Sequence, residues 1–169
     1  MWRRLANLMK RFDCARYRRG IDRALALHMR REARRAGLTL KRLSHRLEIE
    51  WCAREIHPWD RNKPEHERAS LYSQQSLADT ESAITRLFEA MPQVDVIDVT
   101  VREHDSENVI MAGSVDRSAA GGDPGLSVGM RLWNRGITYH WDGYQFEPLS
   151  LSDHAQRVVR QKADLMTTR

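Results

Sequence analysis

The residue pattern of the chain changes at Met91-Pro92, and this change limits the folds that are open to it. Before that point, apolar residues recur every three or four positions, which is typical of amphipathic helices. After it, Val94–Val101 and Val109–Val115 are rich in β-branched residues, which favour strands. The polar stretch Glu103–Asn108 between them predicts a hairpin loop. The sequence therefore predicts an α+β fold.

The N-terminal region, residues 1–63, is predicted to be helical and basic. Its first helix has an apolar face made of Trp2, Leu5, Met9 and Phe12. A second helix is expected to end near Gly37, and a third to run from Thr39 to His57. Thr39 is a suitable N-cap, and Pro58 disfavours helical geometry in the residue before it.

Residues 64–169 are predicted to form a small α-β-β-α-β-β domain with an antiparallel sheet, followed by a C-terminal helix after Ser152. A long helix is expected between Pro64 and Met91. Asp123-Pro124 predicts the start of the next helix, with the aspartate as N-cap. The apolar face of that helix is expected to consist of Leu126, Met130 and Trp133.

Asp142-Gly143 predicts a two-residue hairpin turn, because both central positions of such a turn require positive φ. This turn would place four aromatic side chains on one face of the hairpin, namely Tyr139, Trp141, Tyr144 and Phe146. Such a face could be a platform for stacking nucleic-acid bases, but an aromatic cluster of this kind is more often part of a core. We therefore expect these residues to be core.

Charge is distributed unevenly along the chain, whose net charge is +5. Residues 1–46, the basic head, contain 15 basic and three acidic residues, a net charge of +12. Residues 47–169, the acidic body, contain 13 basic and 20 acidic residues, a net charge of −7. This asymmetry indicates a polyanionic or acidic partner.

Nucleic acid is the first candidate for that partner. Thirteen of the 15 basic residues in the head are arginine, which can bind phosphate through two parallel hydrogen bonds. A cationic helical surface can bind a polyanion by releasing counterions, with no sequence readout. The predicted phosphate contacts are Arg16, Arg18, Arg19, Arg30, Arg31, Arg34, Arg35, Lys41 and Arg42.

Other interpretations of the head remain open. It could lie on an anionic membrane surface, or it could be neutralised by the body of the same chain or by a partner subunit. The main alternative is a protein–protein adaptor, a homo-oligomer or a subunit of a larger complex. In that case the partner-docking residues are Trp2, Leu5, Met9 and Phe12.

Residues His28 to Ile49 resemble the opening of a phage-repressor-type DNA-binding domain, in which a basic helix ends at Gly-Leu-Thr. The resemblance implies a helix-turn-helix. However, Glu48 stands where the tight turn usually has glycine. Acidic side chains at Glu50 and Glu55 would also repel phosphates from the recognition helix. A continuous third helix is therefore the favoured interpretation.

The sequence predicts no enzymatic activity. It contains no phosphate-binding P-loop, dinucleotide fingerprint or Gly-x-Ser-x-Gly motif, so we expect neither catalytic residues nor a cofactor. The densest set of metal-ligand residues is Cys52, His57, Asp60 and His66, which lack the paired spacing of structural zinc sites, so no metal is predicted. With two cysteines and no signal peptide, the expected location is cytoplasmic.

Overall fold

The computed structural model describes residues 39–43, 45–104, 106–119, 121 and 123–150, the first of these ranges by its backbone alone. Its elements are β1 (Thr39–Leu43), β2 (Arg46–Cys52), α1 (Glu65–Ala90), β3 (Val96–Arg102), β4 (Val109–Asp116), α2 (Val128–Asn134), β5 (Ile137–Thr138), β6 (His140–Trp141) and β7 (Phe146–Glu147). Short 3₁₀ helices span Pro58–Asp60 and Arg117–Ala119. The helices predicted before residue 39 and after Ser152 lie outside the described residues.

Five strands form one sheet in the order β1-β2-β3-β4-β5, and β6 and β7 form a separate two-stranded ladder. Strand β2 runs parallel to β3, and every other neighbouring pair among these strands is antiparallel. Helix α1 connects the parallel pair and makes a βαβ unit. The mixed α+β class is thus confirmed, whereas the prediction of a purely antiparallel sheet is wrong at the β2–β3 junction.

The predicted helix from Thr39 to His57 is wrong, because residues 39–52 form the antiparallel strands β1 and β2. The helix-turn-helix alternative fails for the same reason. Along β2, buried Leu47, Ile49 and Trp51 alternate with the half-buried residues between them, which is the two-residue period of a strand. Strand β2 lies on the N-terminal side of the boundary predicted at residue 63, yet it pairs along its whole length with β3 on the other side.

Helix α1 begins and ends close to the two prolines that predict its limits. Glu65 and Glu67 lie in the first turn, where negative charge is favourable to the helix dipole. At the C-terminal end, the guanidinium of Arg117 donates hydrogen bonds to the carbonyl oxygens of Phe88, Met91 and Val94 at 2.7–3.0 Å. Arg117 therefore binds carbonyls that have no donor within the helix.

The core lies between helix α1 and one face of the five-stranded sheet. The buried residues of α1 recur every three or four positions along the helix, and β2 and β3 each contribute alternate residues. Strand β4 contributes the adjacent Ile110 and Met111 together with Val115. The central members of this cluster are Leu47, Ile49, Trp51, Ile84, Leu87, Phe88, Ile97, Val99, Val101, Met111 and Val115. The predicted hairpin of β3 and β4 is confirmed, with Glu103–Asn108 as its loop.

Helix α2 begins later than the sequence predicts. The Asp123 carboxylate accepts a hydrogen bond from the backbone N–H of Gly125 and makes a turn, and Ser127 is the N-cap of the helix. Because the start is displaced, the buried face also differs. Leu132 is fully buried, whereas Met130 and Trp133 of the predicted apolar face are exposed.

The register of the C-terminal hairpin differs from the prediction as well. Trp141 pairs with Phe146 across a four-residue loop, rather than with Tyr144 across two residues. The Asp142 carboxylate accepts hydrogen bonds from the backbone N–H groups of Tyr144 and Gln145, which stabilise the longer loop, and Gly143 supplies a φ of 105°. The residues preceding this hairpin form β5 and pair with β4 instead.

Strands β4 and β5 approach each other so closely that residue 113 must be glycine. A Cβ atom there would lie 2.1 Å from the carbonyl oxygen of Gly136. We expect Gly113→Ala to lower the free energy of unfolding by about 1–3 kcal/mol. Gly121→Ala is the control, because a Cβ atom at that residue meets nothing within 4 Å. Equal stability of the two variants in urea denaturation would contradict this packing.

Candidate functional site

Most of the residues predicted to bind a partner lie outside the described residues. These are Arg16, Arg18, Arg19, Arg30, Arg31, Arg34, Arg35, Trp2, Leu5, Met9 and Phe12. Lys41 and Arg42 lie in β1, at and next to an irregularity in its pairing with β2. They are therefore in a strand and not in the predicted third helix. The binding roles of all these residues stay predictions.

The parallel strands β2 and β3 end at the same edge of the sheet. Ala53 donates its backbone N–H to the Arg102 carbonyl at 2.8 Å, so the pairing continues one residue beyond β2. Two residues further along the two chain segments, Glu55 and His104 meet at this edge. The carboxyl ends of parallel strands are where open α/β sheets usually bind ligands.

The Glu55 carboxylate links three segments of the chain. One of its oxygens lies 3.0 Å from Nε2 of His104, and the other accepts a hydrogen bond from the Arg61 guanidinium. Arg61, and after it His104, hold the pKa of Glu55 below its usual range. Gln75 on helix α1 donates to the carbonyl oxygens of Arg54 and Glu55, each at 3.1 Å, which fixes this segment on the helix.

Tyr72 of helix α1 contacts the His104 segment at the same edge of the sheet. Its hydroxyl oxygen accepts a hydrogen bond from the backbone N–H of His104 at 3.0 Å. Burial raises the pKa of Tyr72 to about 12, so the phenol stays protonated near neutral pH. The residue therefore positions the His104 loop and does not ionise there.

These groups line a pocket of about 500 Å³, which we name the polar pocket. Its charged lining residues are Glu55, Arg61, Glu65, Arg68, Glu103 and His104. Both oxygens of Glu55 already accept hydrogen bonds and the group is held ionised, so it is a poor general base. No three His, Cys, Asp or Glu side chains among the described residues are grouped so as to hold a metal ion. The pocket therefore combines acidic and basic side chains at the carboxyl ends of β2 and β3.

A second and larger cavity of about 820 Å³ lies beside it, and we name it the apolar groove. It runs between helix α1, helix α2 and the C-terminal hairpin. Its apolar lining residues are Ile56, Leu71, Leu77, Ala78, Val128, Met130, Tyr139 and Trp141. Met130 is 51% exposed and Trp141 is 44% exposed, so large apolar side chains face solvent there. Ile56 lines both cavities and joins them.

Helix α2 forms one wall of the apolar groove, and ion pairs fix it on helix α1. Helix α2 carries Arg131 and Arg135, and both form ion pairs with Glu81 of helix α1 at 2.6 and 3.2 Å. Hydrogen bonding to Arg131 lowers the pKa of Glu81, while its partial burial opposes the shift. Arg131 also donates to the Leu126 carbonyl, which stabilises the turn before the helix.

The prediction that four hairpin aromatics form core holds for part of the set. Phe146 is buried, and Tyr139 is half-buried with its ring centroid 5.9 Å from that of Phe146. Trp141 and Tyr144 are exposed, the latter by 59%. The shifted hairpin register explains the exposure of Tyr144, because it places that residue in the four-residue loop. Trp141 is the cross-strand partner of Phe146 and is nevertheless exposed.

Most of the basic side chains in the described part of the chain already form ion pairs or hydrogen bonds within the protein. Residues 45–150 contain ten basic and 18 acidic residues, a net charge of −8. Seven of the ten form ion pairs with nearby carboxylates, namely Arg46, Arg54, Arg61, Lys63, Arg102, Arg131 and Arg135. Arg117 is bound to carbonyl oxygens. This part of the body therefore presents an excess of negative charge.

Comparison with protein-family models, with curated proteins and with solved structures finds no match to the chain. Within the described residues, no helix is long and apolar enough to cross a membrane. The function of the chain is therefore inferred from its own residues and geometry.

Sequence reasoning missed both the polar pocket and the apolar groove. The pocket depends on the parallel pairing of β2 with β3, which a helix at residues 39–57 would preclude. The alternation of Leu47, Ile49 and Trp51 with charged residues was a signal for that strand. The groove depends on the start of helix α2, for which Ser127 was a possible N-cap.

We expect Glu81→Gln to lower the free energy of unfolding near neutral pH by about 1–2 kcal/mol, since it removes the carboxylate shared by two partly buried ion pairs. Arg135, which is 9% exposed, would lose this carboxylate. Glu89→Gln, at an exposed position of the same helix, is the control. Urea denaturation of both variants measures the difference, and an equal loss in the two would contradict a specific role for Glu81.

The Glu81→Gln variant also tests how the stability of the protein depends on pH. The pKa of Glu81 is lowered in the folded protein, so its stabilisation is present above the unfolded pKa and is lost as the pH falls through the folded pKa. The stability difference between wild type and Glu81→Gln should therefore shrink below about pH 4. A difference that stays constant on acidification would contradict the assignment.

Proposed function

We propose that the chain is a non-catalytic accessory protein whose basic head, residues 1–46, binds a polyanion, with nucleic acid as the first candidate. The observation that carries this proposal is the separation of charge between head and body. The head has a net charge of +12, whereas residues 45–150 have a net charge of −8. A polyanion is attracted to the first region and repelled by the second.

The ion pairs of the body support assigning the contacts to the head. Arg46 is bound to Asp98, Arg54 to Asp79 and Arg102 to Glu50. To contact phosphate, each of these arginines would have to break an existing pair and leave a partly buried carboxylate without its cation. These three arginines are therefore poor candidates for phosphate contacts.

Binding would follow the physics of counterion release. Each arginine that neutralises a phosphate releases condensed cations, so affinity falls steeply as salt is raised. The arginine side chains can also form bidentate hydrogen bonds to phosphate, which do not distinguish one base from another. The expected activity is therefore strong binding at low salt with little sequence preference.

A specific observation favours a second candidate, a protein–protein adaptor. The apolar groove exposes Met130 and Trp141, and monomeric proteins bury most such clusters. In this function the chain would be a subunit of a larger complex. Trp2, Leu5, Met9 and Phe12 would dock on a partner, and the charges of the head would orient the contact.

Salt titration tests the first candidate. We expect the full chain to bind a short DNA duplex or a single-stranded RNA in fluorescence anisotropy, with log affinity falling linearly with log salt. Replacing Arg16, Arg18 and Arg19 together by Gln should reduce the slope by up to about 3. The control is Arg68→Gln with Arg86→Gln, which removes one exposed and one half-buried arginine of the body. It should leave the slope nearly unchanged and slightly lower the affinity, because the body becomes more negative.

The outcomes separate the two candidates. Absence of binding to either nucleic acid at low salt would overturn the polyanion proposal. A stoichiometric complex with a partner protein that persists at high salt, seen by size-exclusion chromatography with light scattering, would favour the adaptor instead.

A further inference from the structure

We propose that the apolar groove binds the N-terminal segment of the same chain, residues 1–12, with the basic side chains of that segment against the polar pocket. This inference goes beyond polyanion binding and does not depend on it, because the contact requires no nucleic acid. It assigns an occupant to the groove and couples the head to the body.

The size and lining of the groove suit one face of an amphipathic helix. Its volume of about 820 Å³ lies in the range that holds a substantial ligand, about 300–1,000 Å³. Helices that bind in grooves use apolar anchors three or four residues apart. The N-terminal segment has that pattern in Trp2, Leu5, Met9 and Phe12.

The charges of the segment and of its proposed site are complementary. Residues 1–12 contain four basic residues and no acidic residue. The polar pocket, which shares Ile56 with the groove, is lined by three glutamates, Glu55, Glu65 and Glu103, and by two arginines, Arg61 and Arg68, while Asp60 lines the groove itself. Glu55 is already paired with Arg61 and Asp60 with Lys63, so Glu65 and Glu103 are the carboxylates that the segment would meet. An amphipathic segment with its apolar face in the groove can therefore direct arginines toward carboxylates.

The start of strand β1 lies toward the end of the sheet that leads to the groove. Strand β1 is antiparallel to β2, and Thr39 at its start pairs with Glu50 near the end of β2. From there the chain of β2 continues to Ile56, which lines the groove. Residues 13–38 would span about 39 Å if they were wholly helical, which is enough to return to the groove.

Tethering favours the chain's own segment over that of a second copy. A segment tethered to its binding site has an effective concentration set by the length of the connection, and this can exceed the usual concentration of free protein when the connection spans the distance. Docking would place Arg3, Arg4, Lys10 and Arg11 beside body carboxylates. A polyanion would then compete with the body for these residues.

Hydrogen exchange in the full chain, without nucleic acid, tests the proposal. We expect the backbone amides of residues 2–12 to exchange about tenfold more slowly at low salt in the wild type than in Met130→Glu. Because Met130 is largely exposed, this variant should fold, and an unchanged thermal midpoint checks this. Met130→Leu, which keeps the apolar surface, should restore slow exchange.

Trp59→Glu is the matched control. It adds the same charge to an 87% exposed residue that does not line the groove, so it should keep the wild-type exchange rate. Equal exchange in the wild type and Met130→Glu would overturn the proposal. Protection that rises with protein concentration, together with dimers in light scattering, would overturn it in favour of a second copy. The polyanion proposal would survive either result, because the salt titration tests it separately.

Discussion

The parallel pairing of β2 with β3 is the constraint on which the rest of the structure depends. Seven consecutive residue pairs, from Arg46–Val96 to Cys52–Arg102, fix the register. That register places the apolar residues of both strands on the side of helix α1, which connects them. It also makes both strands end at one edge of the sheet, where Glu55 and His104 meet. The core and the polar pocket are thus two results of the same pairing.

The elements that the sequence predicts correctly are those specified by nearby residues. Helix α1 lies between two prolines and carries its own apolar stripe, and the β3–β4 hairpin has two β-branched runs around a polar loop. Strand β2 is different, because Leu47 and Trp51 are four residues apart and fit a helix as well as a strand. Its partner is 50 residues away in sequence, so pairing at long range decides between the two.

The candidate sites were less predictable than the fold for the same physical reason. Glu55 and His104 are separated by 49 residues, and no local spacing links them. The apolar groove depends on which side of a seven-residue helix faces inward, and a start displaced by a few residues changes that side. Charge asymmetry, in contrast, is a property of composition along the chain and needs no folding information.

The bulge in strand β1 affects how the sheet ends at its outer strand. Among the described strands, β1 is an outermost member of the sheet, and its pairing is interrupted between Leu40 and Arg42. An outer strand exposes backbone groups to which another chain can add, and irregular pairing and positive charge both oppose such addition. The interrupted pairing of β1 therefore makes this side of the sheet a poorer template for a strand of another molecule.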